Sequence, residues 1–502
     1  MNEISREDWL FAGLVSLIVF ILGALNLTPG TNTWGDDHAA YLNEGIAIAE
    51  GRFQEQAGIN YQYHPSQLPL EAENGQLVYA WGYPLLQSVI YGIVGFDRDN
   101  FSSVIWYKIP LLLSLSFSGG ILTLFLRRRF SIYISAGAAL VFCMSGNLFD
   151  SLNALYSDLP FLFFSMLTLW LMECLTSSIA SGKHPARTGI IFGFAMWLTW
   201  ETRLSGFTVC IAAMLGHAIS VLRKEVTFSR ETIWKHLLPY LFLALLVIIS
   251  EHLWLIPPTQ NISDIGKAAE TNVPGYYWKT IFEYLDGLPR VPFSGMGYVF
   301  LGVFVLGIIV RGFRRNLHLT LLLLGTLAIV LSLPYTNGLR YIYNVLPLMI
   351  MFILYGFQFI GKAFSNILRK SSTIKLLITV IFGLGILFFS IANQVYRAGD
   401  NLLHRNDNYS YDAFSSDAKE IYRFIQNNTP EEAIIAFGKP RLLYLCTGRK
   451  SLKVGVNGHE MKEVDYYLKH MGINLDDQVF DTSGMEIILE NDYLTLYRIA
   501  DS

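Results

Sequence analysis

The chain has 502 residues, 52% of them hydrophobic and 15% charged, with a mean hydropathy of +0.38. Soluble globular chains carry about 25% charged residues, so an ordinary water-soluble domain is excluded. A formal net charge of −3 gives no argument for a nucleic-acid partner, and Cys143, Cys174 and Cys210, all inside apolar stretches, imply no disulfide framework with Cys446.

A bilayer core needs about 20 apolar residues per helix. In chain order, spans are predicted at 9–29, 102–126, 131–149, 158–178, 188–200, 204–222, 237–256, 294–311, 317–334, 341–361 and 373–392. The first is too long for a signal-peptide core and lacks a small-residue cleavage pattern, so it reads as an uncleaved span. With the N-terminus inside, Arg127–Arg129, Lys183, Arg187, Arg223, Lys224, Arg311, Arg315, Lys362 and Arg369 all fall on the inner side, as the positive-inside bias requires. A first loop at 30–101, a loop at 257–293 and the tail then face outward. The expected architecture is an α-helical polytopic membrane domain at 1–392 and a small extracytoplasmic α/β domain at 393–502. In that tail "DAKEIYRFIQNN" reads as a helix, and "AIIAF" and "DYLTLYRIA" read as strands.

Ionisable residues beside a membrane span are costly and suggest function. Asp36 and Asp37 head a stretch in which Ala39, Leu42, Ile46 and Ala49 recur at helical spacing, while Asn43, Glu44 and Glu50 take the other face. That pattern predicts a short amphipathic helix lying in the interface, with one Asp as its cap and the second in another role. In "WETRLSG", Glu201 and Arg203 fall near an outer turn, either paired with one another or arranged so that Glu201 orients Arg203 toward an anion. Asp158, followed by Pro160, is first of all a helix-start signal. Arg340, in "GLRYIYNVLP", sits on an outer lip where the positive-inside bias would not place it, beside Tyr341 and Tyr343. Acids and arginines thus converge on one face, which suits either chemistry on an anionic lipid-borne substrate or a transporter mouth.

Several of these stretches carry a likeness. "WGDDHAAYLNEGIAIAEG" resembles the first-loop signature of the GT-C membrane glycosyltransferases. The similar branch (family 39-like) holds the dolichyl-phosphate-mannose protein mannosyltransferases and the bacterial aminoarabinose transferase. "YAWGYPLLQSVIYGIVG", "YSDLPFLFF", "WLTWETRLSG" and "GLRYIYNVLPL" resemble further segments of that branch, and the tail resembles bacterial members. The usual acidic pair there is Asp-Glu, whereas Asp37 and then His38 follow Asp36 here. The first loop also lacks the Asp-x-Asp of metal-dependent oligosaccharyltransferases, so no cofactor is expected and a divalent metal is left open. The resemblance implies an inverting transfer of a sugar from a polyprenyl-phosphate donor to an envelope glycan, lipid or protein acceptor at the outer face of the plasma membrane. By position Asp36 matches the general base and Asp37 an assisting carboxylate. Arg203 and Arg340 are candidates for the leaving phosphate, with Tyr341, Glu201 and Asp158 beside them. Tyr41, Tyr79, Trp81 and Tyr83 are candidates to line the sugar or the lipid tail. The rival reading is a polytopic transporter or flippase for a phospholipid or glycolipid, although inverted repeats of the kind such proteins often carry are not visible.

Overall fold

The computed structural model describes residues 4–31, 34–52, 80–226, 229–230, 232–254, 296–331, 338–368, 391–400, 412–453, 464–471 and 482–499. The predicted loop at 257–293, nearly all of the span at 373–392, and residues 53–79 of the first loop, Tyr79 among them, lie outside the described residues.

Among the described residues, five helices are long and apolar enough to cross a membrane: Arg6–Leu25, Ser102–Arg127, Asp158–Ser181, Ile233–Ser250 and Leu346–Ala363. Five shorter apolar helices accompany them, at Gly82–Val94, Ile132–Cys143, Gly206–Leu222, Gly297–Gly312 and Leu317–Val330. Helix Pro185–Thr202 joins the bundle as well. The predicted span at 131–149 is broken after Cys143, and a separate turn of helix runs from Gly146 to Ser151. Within the stretch read as one outer loop, the apolar helix Gly82–Val94 folds against the acidic helix Asp37–Ala49.

The first helix opens with a capping box, Ser5 and Asp8 each accepting from the other's backbone N–H. Asp8 also takes Arg127 Nε at 2.6 Å, tying the start of this helix to the end of the 109–127 helix. The two therefore run antiparallel. Helix Met296–Gly307 and helix Leu346–Leu368 approach through Gly307 and Gly356, where any Cβ would strike the facing helix's backbone.

At the other end, Lys108 is fully buried. Its ammonium donates to Thr28 O at 2.6 Å, to Asn153 Oδ1 at 2.9 Å and to Gly30 O. Paired in this way a buried charge is tolerable, and it fixes the chain as it leaves the first helix toward Asp36.

The C-terminal region opens with helix Ser416–Asn428, capped by Ser415 Oγ. A five-stranded sheet follows, made of β1 (Ile434–Ala436), β2 (Lys450–Leu452), β3 (Tyr466–His470), β4 (Glu486–Glu490) and β5 (Leu494–Arg498). Its order is β2-β1-β3-β5-β4, with β1 parallel to both β2 and β3, and β5 antiparallel to β3 and β4. The crossover from β1 to β2 is the helix Pro440–Thr447. This α/β unit packs on the first-loop elements. Phe101 meets Phe414 and Tyr422, Trp34 lies edge-on to His470 at 4.9 Å, and Arg423 Nη2 donates to Asn100 Oδ1 at 2.7 Å.

Candidate active site

Helix Asp37–Ala49 does not lie with a wetted polar face. Asn43 and Glu44 are buried together with the apolar residues, because the C-terminal unit covers that side. Asn43 Nδ2 donates to Arg441 O at 3.0 Å. The amphipathic pattern was read correctly as a helix, but Asn43 and Glu44 of its polar stripe meet protein rather than water, while Glu50 at its end stays exposed.

The two carboxylates of the acidic pair diverge. Asp36 occupies the N-cap position of its own helix and makes no side-chain cap there. Its Oδ1 instead accepts the backbone N–H groups of Arg441 at 3.0 Å and Leu442 at 3.2 Å. These lie in the first turn of helix Pro440–Thr447, whose own N-cap residue, Lys439, supplies no side-chain bond. Asp36 thus caps a helix 405 residues away, satisfying orphan N–H groups at its positive end. Its Oδ2 stands 3.7 Å from Arg441 Nε, and the side chain is 12% exposed. Burial pushes this carboxyl above the usual carboxylate range, outweighing the opposing pull of the Arg441 charge and the Leu442 N–H.

Asp37 turns the other way and is 37% exposed, with Oδ2 3.4 Å from Arg340 Nη1. Arg340 Nε donates to Asp158 Oδ2 at 2.9 Å, while Arg203 Nη1 bonds the other oxygen, Asp158 Oδ1. Asp158, 1% exposed, is therefore one carboxylate shared by two guanidiniums. It does open helix Asp158–Ser181, as its sequence context indicates, but it is also the hub of the cluster. Around Arg340 burial works against its charge, and the carboxylates of Asp158 and Asp37 outweigh that and hold it protonated.

Arg203 ion-pairs with Asp158, not with Glu201. Glu201 is buried and takes Ser250 Oγ at 2.8 Å on Oε1. The turn carrying both residues is pressed against Gly82, where a Cβ would sit 2.7 Å from Glu201 O. Only a glycine in "YAWGYP" admits that approach.

Aromatic rings complete the cluster. The Tyr341 ring lies 5.4 Å from the Arg203 guanidinium, and the Tyr156 ring 3.7 Å from that of Arg340, a close cation–π contact. Tyr41 Oη and Ser157 Oγ are 2.9 Å apart, and Tyr41 packs edge-on to Tyr83 at 4.9 Å. Burial pushes the Tyr41 phenol up, so it stays neutral. His38, fully buried against Phe414, has its imidazole pushed down to about 4 by burial and is neutral at pH 7. Among the described residues no group of three or more His, Cys, Asp or Glu is placed to hold a metal ion.

The structure thus brings Asp37, Asp158, Arg203, Arg340, Tyr341 and Tyr41 to one end of the bundle and sets Asp36 at its border with the C-terminal unit. Sequence reasoning missed Tyr156 and Ser157, although both flank Asp158 in "LYSDLP", and it missed Arg441 altogether.

No protein-family model matches the chain, and no curated protein matches its sequence. Solved structures do share its fold. ArnT from Cupriavidus metallidurans bound to undecaprenyl phosphate superposes with a TM-score of 0.58 at 12% identity, over 99% of each chain. The oligosaccharyltransferase AglB from Archaeoglobus fulgidus, in complex with an inhibitory peptide and a dolichol-phosphate, gives 0.54 at 10% identity, over 93% of this chain and 69% of that one. An Archaeoglobus fulgidus oligosaccharyltransferase in complex with Zn and sulfate gives 0.51 at 11% identity, over 92% of this chain and 68% of that one. The fold is that of the GT-C membrane glycosyltransferases, a polytopic helical bundle bearing a small C-terminal sheet region.

Proposed function

We propose that this protein is an inverting glycosyltransferase that moves one sugar from a polyprenyl-phosphate carrier to an acceptor at the outer membrane face. The observation that supports it most is the joining of Arg203 and Arg340 on Asp158, next to the Asp36–Asp37 pair. The solved structures of the same fold with undecaprenyl phosphate and dolichol-phosphate bound support a carrier of that class. In this reading the Asp158 end faces outward, the N-terminus inward, and residues 393–502 form the extracytoplasmic domain over the site.

Asp36 is the proposed base. Two N–H groups fix its Oδ1, while Oδ2 is beyond hydrogen-bonding distance of Arg441 and retains acceptor capacity. A carboxyl raised by burial is a better base than an ordinary Asp near 3.9. Oδ2 takes the proton of the acceptor hydroxyl as that oxygen attacks the anomeric carbon. The bond from this carbon to the phosphate oxygen breaks, and the electron pair leaves on the lipid phosphate. Arg340 and Arg203, already fixed by Asp158, meet that growing charge without reorganising. The Asp37–Arg340 contact is the longest in the cluster, so the donor phosphate displaces Asp37 at Arg340 Nη1. Asp37 is then released to a sugar hydroxyl. Tyr341, Tyr41 and Tyr83 line the donor, and Glu201, held by Ser250, braces the turn that presents Arg203.

The test presents purified protein in bilayers with a panel of polyprenyl-phosphate sugars and candidate acceptors. Acceptor-dependent release of free carrier from one donor, with inverted anomeric configuration in the product by NMR, is the expected result. If no donor is consumed while a lipid-linked substrate crosses the bilayer, the transporter reading replaces this one.

A further inference from the structure

Helix Asp158–Ser181 carries a second buried carboxylate, Glu173, fifteen residues beyond Asp158. At 1.5 Å per residue the two are about 22 Å apart along the helix, so Glu173 belongs to the opposite end of the bundle. A cavity of about 690 Å³ opens there. We propose that this cavity is a binding site for a phosphate group, presented either by an anionic lipid headgroup or by a free phosphate ester.

Charge is the first ground. Arg128, Arg129, Arg223, Arg311 and Arg315 line the cavity against the carboxylates of Glu173 and Glu225. Glu173, 4% exposed, is committed to two of them, with Oε2 3.5 Å from Arg128 Nε and Oε1 bonded to Arg129 Nη2. Arg311 and Arg315 have no carboxylate partner among the described residues. A concave site with surplus guanidiniums concentrates anions, and a planar guanidinium matches phosphate oxygens two at a time.

The second ground is independent of charge. His318 lines the same cavity at 8% exposure, and neither ring nitrogen has a hydrogen-bond partner among the described residues. Buried polar groups are rarely left in that condition. An imidazole at the wall of a cationic cavity has an N–H to offer to an oxyanion. The backbone adds a third feature, since Arg311 lies on the short π-helix Ile308–Gly312, and such irregular turns concentrate at functional sites. The volume falls within the range of small-molecule sites, about 300–1,000 Å³, so it admits a phosphate together with what the phosphate is attached to.

The site is independent of the proposed transfer reaction and is tested without it. Full-length protein in detergent is titrated with dioleoyl phosphatidic acid and, separately, with dioleoyl phosphatidylcholine, and bound lipid is counted by native mass spectrometry. Wild type is expected to bind one phosphatidic acid at least tenfold more tightly than phosphatidylcholine. Arg311→Gln combined with Arg315→Gln is expected to weaken that binding at least tenfold, and His318→Gln severalfold. Lys183→Gln with Arg187→Gln removes two charges from the same end of the bundle outside the cavity, and is expected to change binding less than twofold. Equal loss in this control, or unchanged binding in the cavity variants, overturns the site in favour of unspecific attraction to basic helix ends. Inorganic phosphate added to the lipid complex separates the two sources. Displacement at millimolar concentration assigns the site to free phosphate esters, and retention of the lipid assigns it to headgroups.

Discussion

One helix, Asp158–Ser181, holds two buried carboxylates, and each is shared by two arginines, yet the two ends are built for different work. At the Asp158 end the partners come from distant parts of the chain, Arg203 and Arg340. With Asp37 included, two acids meet two cations, and the cluster is balanced and rigid. At the Glu173 end the partners are the neighbours Arg128 and Arg129, and Arg311 and Arg315 line an open cavity with no carboxylate partner among the described residues. A balanced cluster presents fixed dipoles to a charge that develops during reaction. A surplus presents standing attraction to a charge that is already there. In the two proposals the same residue types serve pre-organisation at one end and capture at the other.

The sharpest way to break this contrast is to neutralise each hub. Arg203 has no hydrogen-bond acceptor besides Asp158 among the described residues. Asp158→Asn therefore strands buried charge and is expected to destabilise the protein by about 3–5 kcal/mol, read as unfolding in detergent. Glu173→Gln is expected to cost less, about 1–3 kcal/mol. Arg128 keeps Ser177 Oγ and Arg129 keeps Phe125 O as acceptors, and the cavity admits water. Equal costs would dissolve the distinction. Tyr156→Leu is expected to remove about 1 kcal/mol by loss of the ring under Arg340, with no effect on lipid binding at the Glu173 end.

A smaller effect follows from Asp36. Its carboxyl is raised by burial beneath helix Pro440–Thr447 and returns to an ordinary value near 3.9 when that helix lifts. A pKa higher in the docked state makes docking strongest below the ordinary value and weaker as pH rises through the raised one. Hydrogen-exchange protection of the Arg441 and Leu442 amides is expected to fall as pH rises across that window, and to become pH-independent in Asp36→Asn. Protection that rises with pH would mean that the helix N-terminus outweighs burial.

Much of the bundle was legible from hydropathy, because apolar length is a local property of the chain. The break after Cys143 and the helix Gly82–Val94 were not, since both are short interruptions inside stretches that read as uniform. In the candidate site, Arg340 stood out as a cation on the wrong side for the positive-inside bias, and Arg203 by its place beside Glu201 near an outer turn. What tied them together was hidden, because Asp158 lies 182 residues from Arg340 and 45 from Arg203, and nothing in "YSDLP" distinguishes a helix start from a hub. Asp36 was legible as unusual but not as a cap for a helix 405 residues away, a pairing that no local pattern encodes.

The most direct measurement compares wild type with Asp36→Asn in bilayers, following release of free polyprenyl phosphate from whichever donor the wild type consumes. The account predicts that Asn, isosteric but unable to take a proton, lowers the rate by about 10²–10⁴-fold while donor binding persists. Equal release by both proteins would contradict it, leaving Asp36 as the cap of helix Pro440–Thr447 and no part of the chemistry.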